Sequence, residues 1–135
     1  METFATVRHV EGSKFDATTA SGHTVRLEGD AKETGGSPME MVLAALGGCS
    51  TVTIVAFLDK MRQPFTSLEV ELSAERAEQA PKIYTKIHAH YRVGGEVNQD
   101  RVAHAINLTE QKYCSVHAML AGTAEMSHTI EFLGE

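Results

Sequence analysis

The residues best equipped for chemistry in this 135-residue chain are its two cysteines, Cys49 and Cys114. A thiolate is a strong nucleophile, and its abundance is set by nearby charge, hydrogen bonding and helix ends. By count alone the two thiols admit three readings: buried apolar residues, a redox pair, or unrelated positions. The compartment bears on the choice. The N-terminal run METFATVRHVEG alternates polar and apolar residues and shows no basic segment leading into an apolar one, so no secretory signal is visible and cytoplasmic residence is the expectation. A purely structural disulfide is uncommon in that reducing setting.

Cys49 falls about nine residues inside a helix that the surrounding sequence predicts, beyond the first turn where the helix dipole acts. Apolar neighbours raise its pKa, so reactivity requires a cation or the start of another helix. Cys114 lies close to such a start. If the segment at Ser115 approaches Cys49, the two thiols can close a disulfide through a sulfenic acid.

Glu40 has a structural reading as a capping-box residue and a functional one, in which it orients a cation near the thiol. It lies about 2.5 helical turns from Cys49 and so on the opposite side of an ideal helix. In a dimer it could serve the other subunit. His88 and His90 share a strand face; they fit a solvated surface beside Lys86 and Arg92, and a third metal ligand is not evident. His117 comes three residues after Cys114 and is a candidate acid/base or, with the cysteines, a metal ligand. No metal and no cofactor is expected.

The elements that must position these residues follow from pattern and punctuation. Alternation predicts short strands near residues 4–9, 14–18 and 23–28, with a turn at Ser21-Gly22. Ser37-Pro38-Met39-Glu40 combines an N-cap, a proline suited to the first helical position and a capping-box glutamate. A long helix should begin there, run to about Gln63 and stop before Pro64. Its 18 residues from Met41 to Leu58 carry no charge. That is the lower limit of a membrane span, but Gly47, Gly48, Ser50, Thr51 and Thr53 favour the buried centre of a soluble fold or dimer. The Gly47-Gly48 pair costs helix propensity, about 1 kcal/mol per glycine, and close approach of another backbone would explain it.

Residues 66–79 and 82–93 predict two long strands. Glu69 and Glu71 on the outer face of one and Lys86, His88, His90 and Arg92 on the other suggest antiparallel pairing. The inner face of the second strand is assigned to Ile83, Ile87, Ala89, Tyr91 and Val93, with Tyr84 outward. Asn98 should cap a helix to about Lys112, with Val102, Ala105, Ile106 and Thr109 along one side. Ser115 is placed as the cap of a further short helix, and residues 128–133 form a last strand. Strands and helices do not alternate regularly, so the fold class is α+β in one domain over residues 1–135.

Apolar residues make up 42% of the chain and charged ones 22%, with a net charge of −6. There is no basic stripe to neutralise phosphates or an anionic lipid surface, so neither nucleic acid nor membrane is expected as a partner.

The run Gly36-Ser37-Pro38-Met39-Glu40-Met41-Val42-Leu43-Ala44-Ala45-Leu46-Gly47-Gly48-Cys49 resembles the central-helix motif of the OsmC/Ohr superfamily, and Tyr113-Cys114-Ser115-Val116 resembles its second cysteine motif. Spacing and element order fit over nearly the whole chain, with the YhfA-type branch the nearest likeness. The resemblance implies an intertwined homodimer with central helices crossing in the middle and sites at the subunit interface. It also implies thiol-dependent reduction of organic hydroperoxides in oxidative or osmotic stress. Cys49 would be the peroxidatic thiol and Cys114 the resolving one, regenerated by a dithiol reductant of the lipoyl type.

Two features depart from the well-studied peroxidases of that family. There a glutamate directly follows the motif proline and holds an arginine against the thiolate; here Met39 follows Pro38, and the glutamate is Glu40. The arginine's early segment corresponds to Glu11-Gly12-Ser13-Lys14, where Lys14 offers a point charge without the bidentate fork. A non-enzymatic module that binds a small apolar ligand or senses redox state is the alternative on the same fold.

Overall fold

A computed structural model describes residues 1–134. It divides into two compact units, residues 1–44 and the chain from Ala45 onward.

The first unit is an antiparallel sheet in the order β1 (Ala5–Glu11), β2 (Lys14–Thr19) and β3 (Thr24–Glu28). Both tight turns use glycines with left-handed backbones, Gly12 at φ 52° and Gly22 at φ 90°, conformations that cost other residues a Cβ clash. Arg26 pairs with Asp16 across β2 and β3 at 2.6 Å. Beyond β3, the carboxylate of Glu28 accepts the Thr34 amide at 2.9 Å and the Thr34 hydroxyl at 2.8 Å. These bonds gather the polar loop and deliver it to the helix start. There the expected capping box is present: Ser37 Oγ accepts the Glu40 amide at 3.1 Å, and Glu40 Oε1 accepts the Ser37 amide at 2.8 Å.

Helix α1 (Pro38–Lys60) ends earlier than Pro64 would require. Arg62 takes a left-handed φ of 57°, its amide bonds to Asp59 O at 3.1 Å, and the Gln63 amide bonds to Leu58 O at 2.9 Å. This is the Schellman pattern, with arginine where glycine is usual. α1 meets the length and composition of a membrane-spanning helix. In this fold its row Leu46, Ser50, Ile54 and Leu58 is buried within the second unit. Within one chain the two glycines of the pair differ in their surroundings. A Cβ on Gly47 would stand 3.0 Å from Leu72 Cδ1 and 3.4 Å from Val70 Cγ1, so side chains rather than backbone crowd it, while Gly48 faces open space.

The second unit holds a sheet in the order β4 (Phe65–Arg76), β5 (Tyr84–Gly95) and β6 (Glu125–Gly134), with β4 and β5 antiparallel and β5 and β6 parallel. The predicted cross-strand charges meet: Arg92 donates to Glu69 at 2.6 Å and Glu71 at 2.7 Å. The inner-face assignment holds for Ile87, Ala89, Tyr91 and Val93 and fails at the strand's start. Tyr84 is buried and Ile83 is 42% exposed. A register irregularity between Glu75 and Arg76 carries the pairing from Lys86 directly to Tyr84. The extra residue, Thr85, reverses the alternation, as a bulge does.

Helix α2 (Gln99–Leu108) begins at Asn98, whose side chain accepts the Arg101 amide at 3.1 Å. Val102, Ala105 and Ile106 join Ile54, Leu58, Ala89, Tyr91 and Val93 in one core. The helix does not run on regularly to Lys112. Residues Thr109–Tyr113 form a single π-helical turn, followed by Cys114 and helix α3 (Ser115–Leu120). The α+β class is as expected.

Replacing Ile54, which has no exposed surface, with alanine should lower the unfolding free energy by about 3 kcal/mol through lost burial and a residual cavity. Asn98→Ala should cost about 1 kcal/mol, the worth of a helix cap. Urea denaturation monitored by circular dichroism checks both.

Candidate thiol site

The site is assembled where α1 meets the junction between α2 and α3. Cys49 and Ser50 are consecutive on α1; Ser50 belongs to the buried row, and Cys49 beside it keeps partial exposure. The π turn sets the second sulfur. It closes with the Cys114 amide donating to Thr109 O at 2.8 Å, five residues back, while the buried Thr109 hydroxyl donates to Ala105 O at 2.8 Å. Cys114 then leaves the helix in an extended conformation, φ −82° and ψ 105°, and its sulfur accepts the His117 amide at 3.4 Å. Cys114 therefore caps α3, in the place expected of Ser115. The sulfur does the work of a cap oxygen, and Ser115 is the first residue of the helix.

That geometry aims the free amides of the α3 start at Cys49. The Val116 N–H is the largest influence on the Cys49 thiol and lowers its pKa, against partial burial that raises it; the Cys114 thiol and the Ser115 N–H lower it further. Unpaired amides at a helix start stabilise a thiolate. Burial pushes Cys114 the other way, and its proximity to Cys49 adds to the rise, while the His117 amide and the Ser50 hydroxyl oppose it. The two sulfurs thus face each other as free thiols of opposite tendency, Cys49 disposed to ionise and Cys114 to stay protonated. Ser50 Oγ lies 3.9 Å from Cys114 Sγ and donates to Leu46 O at 2.9 Å.

The other predicted residues are distributed as follows. Glu40 and Lys14 lie in the first unit. The Glu40 carboxylate is held by the Ser37 amide, which lowers its pKa. Lys14 pairs in register with Glu28, whose carboxyl pKa is lowered chiefly by the Thr34 amide and hydroxyl, with the Lys14 charge the least of the influences. His117 contributes its amide to Cys114, and the residue lines a small pocket with Ser50, Tyr91 and Glu110. His88 and His90 lie on the outer sheet face, bonded to Ser127, Thr129 and Glu131. Among the described residues no cluster of three or more His, Cys, Asp or Glu side chains is placed to hold a metal ion.

One polar group was not anticipated. The Tyr91 hydroxyl, on a side chain 1% exposed, donates to Glu110 Oε2 at 2.9 Å, and His128 Nδ1 lies 2.7 Å from Glu110 Oε1. Tyr91 reads as one more inward residue of an alternating strand, and its partners come from the π turn and the last strand. No spacing in the sequence links the three.

A family model for the OsmC-like proteins matches residues 29–129. The chain belongs to the OsmC-like family. The protein YhfA of Escherichia coli strain K12 is 43% identical over 128 residues, covering 94% of this chain and 96% of that one. Among solved structures, an OsmC-like protein from Mycoplasma pneumoniae superposes with a TM-score of 0.85 at 14% identity, over 98% of this chain and 97% of that one. The organic hydroperoxide resistance protein OhrB of Bacillus subtilis gives 0.66 at 14% identity, over 97% and 98%. At those identities the superpositions establish the shared OsmC-like fold.

As pH rises, Cys49 should ionise first, below the value near 8.5 of a free cysteine, and Cys114 above it. Removing the thiol donor with Cys114→Ala should move the Cys49 midpoint upward. The pH dependence of alkylation by iodoacetamide, followed residue by residue in mass spectra, measures both; a Cys49 midpoint at or above that of free cysteine contradicts the amide-stabilised thiolate.

Proposed function

We propose that this OsmC-like chain reduces organic hydroperoxides through its cysteine pair, as part of protection against oxidative stress. The observation that carries the reading is the convergence of the Val116 and Ser115 amides and the Cys114 thiol on the Cys49 sulfur. These groups do the work assigned to an arginine in the family's well-studied peroxidases. The same fold in OhrB, a protein named for organic hydroperoxide resistance, agrees with it.

In this reading Cys49 thiolate attacks the terminal peroxide oxygen. The O–O bond breaks, the alkoxide leaves and takes a proton to become an alcohol, and Cys49 becomes a sulfenic acid. Cys114 then attacks that sulfur, releasing water and forming a disulfide. A dithiol of the lipoyl type returns both residues to thiols, and is oxidised in turn. The amides favour the first step because they stabilise the thiolate without supplying a competing nucleophile.

We read both units as one OsmC-like domain, since the family match runs through both, and the working form as a homodimer. The support for a second copy is the outer face of α1, where Ala45, Gly48 and Ala56 are exposed and Val52 is 72% exposed. A row of small and apolar residues permits close helix approach. In such a dimer Glu40, with Lys14 as an accessory, would serve the other subunit's thiol. Residence in the cytoplasm accords with two free thiols side by side.

Turnover of cumene hydroperoxide with dihydrolipoamide should be lost in Cys49→Ser. Cys114→Ser should complete one attack and leave a sulfenic acid that dimedone traps. Equal turnover in wild type and Cys49→Ser would end the peroxidase reading.

A further inference from the structure

Cys114 is a poor nucleophile as it stands. It is 2% exposed, and burial holds its thiol protonated. A disulfide closes only when the attacking sulfur gives up its proton. Enclosure hinders a base in solution from reaching this sulfur, and the polar groups packed behind it offer the proton another path.

Those groups are gathered around one small pocket. The Ser50 oxygen is the polar neighbour of Cys114 Sγ, at 3.9 Å. Its hydrogen is directed to Leu46 O, which leaves the oxygen free to accept. On its other side Ser50 lines the same small pocket as Tyr91 and Glu110, and its hydroxyl is one of the groups acting on the Tyr91 phenol. Tyr91 donates to Glu110 at 2.9 Å, and Glu110 takes His128 Nδ1 at 2.7 Å. Glu110 thus joins the Tyr91 hydroxyl to His128, and a carboxylate in that place can take up a proton. The groups extend from a fully enclosed sulfur to His128, whose side chain is 22% exposed. Ser50, Tyr91, Glu110 and His117 line a common small pocket.

We propose that Ser50, Tyr91, Glu110 and His128 form a proton relay that deprotonates Cys114 as it attacks the oxidised Cys49. The inference rests on the cysteine pair of the proposed function and extends it to the resolving step. The Cys114 proton passes to Ser50 Oγ, the Ser50 hydrogen turns from Leu46 O to the Tyr91 oxygen, and the Tyr91 hydrogen moves to Glu110. The moves are concerted, because burial and the facing Glu110 carboxylate push Tyr91 well above the ordinary phenol range and a standing tyrosinate is disfavoured. The result is a Cys114 thiolate and a neutral Glu110 beside His128. When the disulfide forms, the hydroxide released from the sulfenic acid takes up a proton, and Glu110 returns its own to solvent past His128; the net product is one water. Only Ser50 touches a reacting atom. Tyr91, Glu110 and His128 act through it and are positioning residues. The titratable groups facing Tyr91 are Glu110 from the π turn, His128 from β6 and Cys114, with His117 of α3 at the same pocket.

The test follows disulfide closure in wild type, Tyr91→Phe and Glu110→Gln, mixed rapidly with one equivalent of oxidant and quenched by acid for mass analysis. Two oxidants are used. Cumene hydroperoxide gives the sulfenic acid; diamide, which accepts two electrons and two protons, forms an adduct on Cys49 that Cys114 displaces in the same way. At pH 7 closure relative to the first oxidation should slow by at least about tenfold in both variants, the lower end of proton-transfer effects. The deficit should shrink as pH rises and solvent hydroxide deprotonates Cys114 directly; a packing defect would persist at every pH. Wild-type closure rates with a wild-type pH profile in both variants overturn the relay, and Glu110→Gln decides the matter if Tyr91→Phe does not fold. If wild type closes with diamide but ignores the hydroperoxide, the peroxidase reading fails, and slowed closure in the variants still upholds the relay. If wild type closes with neither oxidant, both fall.

Discussion

The site depends on a few backbone amides with no partner inside their own helix. The first turn of a helix leaves its N–H groups unbonded, and in this chain those of α3 are directed at sulfur. Cys114 takes one of them from His117, while Val116 and Ser115 present theirs to Cys49. Everything upstream serves that placement. The π turn moves Cys114 out of helical register, the core of Val102, Ala105 and Ile106 anchors α2 behind it, and the row Leu46, Ser50, Ile54 and Leu58 orients α1 so that Cys49 comes to the amides. Fixed dipoles of this kind favour a thiolate whether or not a cationic side chain is also at hand. This gives a physical account of how the chain lacks the usual arginine segment and keeps both cysteines.

The same arrangement separates the two sulfurs in character. They are near neighbours, yet one is partly exposed and lies against amides while the other is enclosed, so their pKa values move apart. Paired groups with opposed shifts suit a sequence of attack and resolution. The enclosed sulfur is the one backed by Ser50 and the Tyr91–Glu110–His128 group. A buried polar network of that kind carries a cost unless every member is satisfied, and here each member has its partner.

Much of the architecture was legible along the chain. The capping box at Ser37–Glu40, the cap at Asn98, the alternating strands and the Glu69, Glu71 and Arg92 cross-strand charges all depend on neighbours close in sequence or on a regular period. The misreadings arose where a local irregularity reset the period. The bulge at Thr85 turned Tyr84 inward, and the π turn ended α2 before Lys112. Each is a change of a single residue or turn that pattern averages out.

The two cysteine motifs and their helical settings identified the family and singled out the thiols as candidates, because they are local words with fixed composition. Their ionisation was not determined there. It arises from the Val116 amide, sixty-seven positions beyond Cys49 in the sequence, and from the enclosure of Cys114 between helices. The Tyr91, Glu110 and His128 group is likewise the product of three elements brought together by packing. Sequence by itself determined which side chains and which helix starts exist; tertiary structure decided which start faces which sulfur, since hydrogen bonds and desolvation act only over the few ångströms that folding closes.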